Sequence, residues 1–186
     1  MMLKKIKKEI QIIAEVGVNH NGSLSKAKKL ILTAKNCGAN FVKFQNFQAE
    51  KLSTKSAKMA EYQIKNLKKK STQFQMLKRL ELTRKIYPAL KNFSKKNNIT
   101  FLSSPFDEEN YDYLTKNLKC KIIKIPSGEI NNYLMLKKIS LKKHQIILST
   151  GMSNFKEIAN TINFICKKKL YKVNSNQVKI LNPNLL

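Results

Sequence analysis

Two lysines stand inside short apolar segments of the sequence, where a charged side chain needs a partner. Lys43 lies within FVKFQ and Lys124 lies within IIKIP. Gln45 follows the first lysine by two residues, and Ser127 and Glu129 follow the second. Ammonium groups with nearby hydroxyls can hold a ligand with several negative charges, such as a phosphate with a carboxylate. We therefore expect an anion site around the two lysines.

Two carboxylates are acid–base candidates for the same site. Glu15 follows the apolar IIA segment, and Glu129 ends the sequence SGE. The serines Ser103 and Ser104 follow another apolar segment, TFL. Their hydroxyls either complete the anion site or serve only as turn and cap residues, and the sequence leaves both readings open.

Other residues near these segments have a structural interpretation first. His20 could bind a metal, but hydrogen bonding is favoured because the sequence places no second histidine nearby. Gly22, Gly128 and Gly151 are expected to take positive φ in turns.

The elements that must position these residues alternate along the chain. Predicted strands cover residues 10–16, 41–44, 99–102, 121–125, 145–148 and 178–181. Predicted helices cover residues 24–37, 83–96, a segment from 107, 132–140 and 154–168, with Ser23 as the first N-cap. Strict alternation of strand and helix predicts a parallel sheet, either doubly wound or a (β/α)8 barrel.

A parallel sheet would bring the candidate residues together, because the carboxyl ends of its strands form the ligand-binding edge. The polar segment 48–72 is too long for an ordinary loop, and we expect an insertion near the site there. The chain has 186 residues. A whole barrel takes about 250 residues, so the prediction is a barrel short of about two strand–helix units.

The amino-acid composition restricts the classes of partner that the chain can have. The formal charge is +26, which makes nucleic acid the first partner to consider. Only Arg79 and Arg84 are arginines, however, and the lysines are spread along the chain, so we expect no nucleic-acid partner. The three cysteines show no metal or disulfide spacing, and no apolar run is long enough for a membrane span, which favours a cytoplasmic protein without a membrane partner.

Five segments in chain order together resemble the sialic acid synthase family. They are IIAEVGVNHNG at 12–22, VKFQ at 42–45, FLSSPF at 101–106, KIPSGE at 124–129 and STGM at 149–152. Gly128 after Ser127 favours the neuraminate and legionaminate types over the pseudaminate type. The resemblance implies the TIM-barrel alternative, usually with a small antifreeze-like C-terminal domain.

The resemblance also implies a reaction. Members of the family are transferases that condense phosphoenolpyruvate with an N-acyl-hexosamine aldehyde, such as N-acetylmannosamine. The products are phosphate and a nonulosonic acid for surface carbohydrate. By resemblance, the residues that hold phosphoenolpyruvate are Lys43, Ser104, Lys124 and Ser127. Gln45 and Glu129 would meet the sugar, Glu129 would protonate the aldehyde oxygen, and Glu15 would orient groups near the reacting centre.

A divalent metal, manganese or magnesium, and a homodimer of full-length relatives are implied as well. In the family the metal-binding histidines lie on later strands, so we expect those ligands and the antifreeze-like domain to be absent from this chain. Residues 1–186 are then expected to be the N-terminal part of the barrel, truncated after about six strands. Such a chain is predicted to be inactive or very weak alone.

Two other functions remain open on the sequence. Lys43 or Lys124 could act as the nucleophile of a Schiff-base aldolase. The high positive charge could instead belong to a non-catalytic protein that binds nucleic acid or acidic polysaccharide.

Overall fold

The structure is a computed structural model, and it describes residues 10–61, 64, 71–141, 144–167, 171–174 and 177–180. Its strands are β1 (Ile13–Gly17), β2 (Phe41–Asn46), β3 (Thr100–Pro105), β4 (Ile122–Ile125), β5 (Gln145–Leu148), β6 (Tyr171–Asn174) and β7 (Gln177–Ile180). Its α-helices are α1 (Leu24–Asn36), α2 (Ala49–Leu52), α3 (Gln73–Leu80), α4 (Tyr87–Lys96), α5 (Glu108–Asp112), α6 (Tyr133–Ser140) and α7 (Phe155–Cys166). Short 3-10 turns precede α4 and follow β4.

All strand pairings described among the first five strands are parallel, as the alternation of strands and helices predicts. In the described residues β1, β2 and β3 form one hydrogen-bonded sheet in that order, and β4 pairs with β5 in a second. Strands β3 and β4 lie against each other although no ladder joins them in these sheets. The five strands therefore make a parallel layer that is interrupted once, between β3 and β4.

Alternation along the strands separates a helix-facing side from an open side. Val42 and Phe44 of β2 are buried in one hydrophobic core with residues of α1 and α4, and Ile123 and Ile125 of β4 join the same core. Because successive side chains of a strand point to opposite faces, Lys43 is on the other face. The polar candidates of β2 and β4 thus share the side away from the helices.

Hydrogen-bonded caps fix where the flanking helices begin. Ser23 accepts a bond from the backbone N–H of Lys26, which confirms the predicted N-cap of α1. Asn154 and Glu157 form a capping box at the start of α7. Reciprocal bonds of this kind satisfy backbone donors that the helix leaves unpaired.

The polar segment after β2 contains more structure than the sequence predicts. Helix α2 begins at Ala49, whose N–H donates to the carboxylate of Glu81 at 3.0 Å. Thr72 caps α3 through a capping box with Gln75. Helix α3 has only eight residues, fewer than the window of about 11–18 residues over which apolar periodicity is recognised, so the sequence reading missed it.

The prediction of a sixth parallel strand at 178–181 is wrong. Gln177–Ile180 instead pairs antiparallel with Tyr171–Asn174, a strand that the sequence reading missed. Only two residues separate the two segments, and a parallel crossover needs a dozen or more. The strand–helix alternation therefore ends with α7 in the described residues, and position 181 lies outside them.

The turn glycines follow the prediction only in part. Gly22 has φ +74, as expected, whereas the described positive-φ glycines do not include Gly128 or Gly151. Gly128 lies in the 3-10 turn after β4, which any residue type can adopt. None of the helices in the described part of the chain combines the length and apolar character that a membrane span requires.

Candidate active site

Glu15, Lys43 and Lys124 meet on the open side of the parallel strands and form what we call the lysine–glutamate cluster. The Nζ atom of Lys43 lies 3.0 Å from each carboxylate oxygen of Glu15. The Nζ atom of Lys124 lies 3.6 Å from Oε2 of the same carboxylate. Three residues from three strands, distant in sequence, therefore converge as the strand-end argument predicts.

Strand register explains the convergence. Glu15 and Lys43 are direct partners between β1 and β2, and Lys43 faces the apolar Leu102 of β3. A β-bulge follows Glu15, and Oε1 lies 3.2 Å from the position that a Cβ on Gly17 would take. Gly17 therefore leaves room for the carboxylate to fold over the strand end.

The two lysines differ in their surroundings. The side chain of Lys43 is only 4% exposed, and burial lowers its pKa from the ordinary value, although the hydrogen bond to Glu15 opposes that effect. The nearby charge of Lys124 lowers the pKa of Lys43 further. The side chain of Lys124 is 25% exposed, and its distance to Glu15 exceeds that of a good hydrogen bond. Lys124 thus keeps donors that can bind a ligand.

A second layer of polar groups lies two residues beyond the cluster. Gln45 and Ser104 are register partners on β2 and β3, on the same face as Lys43. Ser104 is fully buried, and its Oγ has no hydrogen-bond partner among the described residues. A buried hydroxyl without a partner is costly, which is typical of a position that binds a ligand.

The residues after β4 are less closely joined to the cluster. Ser127 begins the 3-10 turn and is half-buried. The carboxylate of Glu129 accepts a hydrogen bond from Asn132 Nδ2 at 2.9 Å. Within the described residues no hydrogen bond or ion pair links Ser127 or Glu129 to the cluster. The structure therefore brings together Glu15, Lys43 and Lys124. In the described part of the chain, it does not join Ser127 or Glu129 to them by a hydrogen bond or an ion pair.

His20 and Asn46 add two buried polar groups near the ends of β1 and β2. His20 Nδ1 accepts from the N–H of Gly22 at 3.1 Å, which confirms the preferred hydrogen-bonding role, and its ring stacks on Phe44. Burial lowers the pKa of His20, so the ring is neutral near pH 7. His20 Nε2 and Asn46 Oδ1 have no partner among the described residues. Sequence reasoning missed Asn46, although an amide that ends an apolar strand was a usable signal.

The described residues do not fit a metal centre. They contain no group of three or more histidine, cysteine, aspartate or glutamate side chains placed to hold an ion. His20 is a single candidate ligand, and Glu15 already compensates Lys43. We therefore assign no step of the chemistry to a metal held by these residues.

Comparison with known proteins decides the family. The model of the NeuB family matches residues 30–182. The chain belongs to the NeuB family. Among curated proteins, the N,N'-diacetyllegionaminic acid synthase of Campylobacter jejuni is 51% identical over 86% of this chain and 48% of its own length. The N-acetylneuraminate-9-phosphate synthase of Homo sapiens is 32% identical over 93% of this chain and 44% of its own length.

These relatives confirm the resemblance to sialic acid synthases drawn from the five segments. A pseudaminic acid synthase of Helicobacter pylori is 27% identical over 85% of this chain and 46% of its own length. The NeuB-family chain spans about half the length of the curated relatives it matches.

Solved structures confirm the TIM-barrel type of fold. The N-acetylneuraminic acid synthetase of Leptospira borgpetersenii, solved in complex with citrate, is 32% identical with a TM-score of 0.73 over 91% of this chain and 55% of that one. A truncated 3-deoxy-D-arabino-heptulosonate 7-phosphate synthase of Thermotoga maritima has a TM-score of 0.59 at 12% identity, over 91% and 53% of the two chains. At that identity the second match supports the fold alone.

Proposed function

We propose that this NeuB-family chain provides the phosphoenolpyruvate side of a nonulosonic acid synthase active site. The observation that carries the proposal is the convergence of Lys43 and Lys124 on the single carboxylate of Glu15. Two ammonium groups against one carboxylate leave a net positive charge, which suits a ligand with both a phosphate and a carboxylate. The citrate complex of the Leptospira relative, a bound polycarboxylate, is consistent with such a site.

Each polar group of the site then has a defined role. Lys124 contacts the anion from β4 and Ser127 contacts it from the turn after β4. Lys43 and Ser104 contact it from β2 and β3. Glu15 keeps Lys43 charged, because their contact raises the pKa that burial lowers. Ser104 gains the hydrogen-bond partner that its buried Oγ lacks.

On the sugar side, Gln45 and Glu129 are proposed to bind the N-acyl-hexosamine aldehyde. C3 of phosphoenolpyruvate forms a bond to the aldehyde carbon, and Glu129 in its protonated form gives its proton to the aldehyde oxygen. Water then adds at C2 and phosphate leaves, which produces the 2-keto acid. Asn132 fixes the orientation of Glu129 through their hydrogen bond. General acids of this kind contribute about 10²–10⁴-fold to a rate.

Binding of phosphoenolpyruvate, measured by calorimetry, tests the proposal. Lys124→Met keeps the stem of the lysine and removes its charge, and we expect affinity to fall about tenfold or more. Lys137→Met, at an exposed position of α6, is the matched control and should bind as the parent does. Equal affinity of the parent and Lys124→Met would refute the assignment.

Catalytic turnover by this chain is tested separately from phosphoenolpyruvate binding. With phosphoenolpyruvate, N-acetylmannosamine and manganese, we expect binding without detectable phosphate release, because the described residues show no metal centre. Metal-dependent phosphate release by this chain alone would contradict that expectation while supporting the substrate assignment.

One observation favours a second candidate, a Schiff-base aldolase. Burial lowers the pKa of Lys43, which raises the share of the nucleophilic amine. The two contacts to Glu15 hold the proton on the amine and oppose this role. Borohydride reduction in the presence of pyruvate separates the candidates, because a lysine adduct forms only in the aldolase.

A further inference from the structure

A cleft of about 670 Å³ opens at the amino ends of β3, β4 and β5. Its lining residues include four lysines, which are Lys91, Lys95, Lys119 and Lys121. Lys91 and Lys95 are one helical turn apart on α4, and Lys119 and Lys121 precede β4. Two separate segments therefore place positive charge around one concavity.

The charge in this cleft is not compensated within the described residues. The lining contains no aspartate or glutamate. The described ion pairs all involve other lysines or Arg84. Lys91 donates to the backbone carbonyl of Leu118, a contact that removes no charge. Like charges one helical turn apart repel each other, so a bound anion would relieve a cost that the fold carries.

Neutral groups and the sheet itself complete the cleft. It lies where the ladder is interrupted between β3 and β4, which opens the layer at this end. Asn98, Thr100 and Gln145 add amides and a hydroxyl, and the buried Phe101 and Ile99 form an apolar floor. The volume is within the range of small-molecule sites, about 300–1,000 Å³. The lining does not include any residue of the lysine–glutamate cluster.

We propose that this cleft binds an oligophosphate group, either free or attached to a nucleoside. Ammonium groups bind phosphate as point charges without the fixed fork of arginine, and here all four cations are lysines. The concave shape favours a compact ligand over a double helix. The apolar floor provides the place for a ring if the ligand is a nucleotide.

Calorimetry with sodium tripolyphosphate and with adenosine triphosphate tests the site on the full chain. The double variant Lys95→Glu with Lys121→Glu changes two side chains that make no hydrogen bond or ion pair within the described residues, and it keeps the backbone bonds of both positions, so folding should persist. We expect the affinity for both probes to fall about tenfold or more. The matched control, Lys26→Glu with Lys29→Glu on exposed positions of α1, has the same net charge and should bind within about twofold of the parent.

The outcomes separate this site from its alternatives. Tighter binding of adenosine triphosphate than of tripolyphosphate indicates that the ligand is a nucleotide. Equal binding of the two probes indicates that the site recognises the phosphate group alone. An equal loss in the control pair, or no binding of either probe, refutes the site. Tighter binding of duplex DNA than of the small probes also refutes it, since charge spread over the surface would then be responsible. The cleft variant leaves the lysine–glutamate cluster intact, and the lining of the cleft does not include Lys124, so this inference and the phosphoenolpyruvate proposal can fail independently.

Discussion

Two neighbouring serines at the end of β3 show how position decides the role of a residue. Ser103 and Ser104 are both almost completely buried. Ser103 Oγ donates to the carbonyl of Phe44 at 3.3 Å, whereas Ser104 Oγ has no partner among the described residues. The sequence left a structural and a ligand-binding role open for both. The contacts assign the structural role to Ser103 and favour the ligand-binding role for Ser104.

Alanine substitutions should separate these roles. Ser103→Ala removes a buried hydrogen bond and should lower the free energy of unfolding by about 1 kcal/mol, without a direct effect on phosphoenolpyruvate binding. Ser104→Ala removes an unpaired hydroxyl, so stability should stay within about 0.5 kcal/mol or rise, while phosphoenolpyruvate affinity falls. Urea unfolding and calorimetry measure the two effects. If Ser104→Ala destabilised the chain as much as Ser103→Ala, the hydroxyl would have an internal partner.

His20 should make stability depend on pH in a defined window. Burial lowers its pKa below the ordinary value of 6.5, so the folded chain keeps the ring neutral while the unfolded chain takes up a proton. The free energy of unfolding should therefore fall as pH falls from about 6.5 towards the lower, folded pKa. Urea unfolding at several pH values measures this loss.

Two histidine variants control that experiment. His20→Asn keeps an acceptor for the Gly22 N–H but cannot titrate, so the loss on acidification in this window should disappear. His144→Gln should retain it. An unchanged pH dependence in His20→Asn would show that other groups cause it.

The lysines and Glu15 could be predicted because charged residues in apolar segments are rare and need partners. Their mutual distances could not, since they depend on the register between β1 and β2 and on the bulge after Glu15. Asn132, which holds Glu129, was not identified from sequence because a bond between neighbouring residues leaves no periodic signal.

At the scale of elements, the strand–helix alternation predicted β1 to β5 with their intervening helices α1, α4, α5 and α6. The prediction failed for elements that are too short to show a clear pattern in the sequence. Helix α3 has only eight residues, and the β6–β7 hairpin depends on a two-residue spacing that the strand–helix alternation does not predict. The segment after β2 also packs on the turn after β1, and local sequence does not report such a long-range contact.

Gly22 is where that packing can be tested. Its φ is +74, and an added Cβ would lie 2.7 Å from the carbonyl oxygen of Arg79, in the last turn of α3. Gly38 has φ +82 and open space around it. Gly38→Ala should therefore cost only the left-handed penalty, about 1–2 kcal/mol. Gly22→Ala should cost about 2 kcal/mol more, because the backbone must move as well.

Thermal and urea unfolding of the two glycine variants measure this difference. Equal losses of unfolding free energy in both variants would mean that the segment 73–82 moves away from the turn after β1 at little cost. The contact would then not define how the segment after β2 packs on the turn after β1.

At the scale of the whole molecule, the sequence establishes the excess of positive charge but not where it is compensated. The described acids pair with lysines mainly around α2, α3 and α5 and at the lysine–glutamate cluster. The amino-end cleft has no such pairs among its lining residues. The positive charge is therefore distributed in two ways. Lysines are paired with an acid in the candidate active site, whereas the described lining of the amino-end cleft contains only basic charges.

This imbalance predicts how salt changes stability. The chain has 37 basic and 11 acidic residues, so repulsion should outweigh its exposed ion pairs, which contribute about 0–1 kcal/mol each. The free energy of unfolding should rise as sodium chloride is raised from about 20 to 300 mM, because the screening length shortens to below about 10 Å. Urea unfolding at each concentration measures the rise. Lys26→Glu with Lys29→Glu lowers the net charge and should show a smaller rise than the parent. A fall in stability with salt would show instead that the ion pairs dominate, and the cleft would then need no counter-anion to be stable.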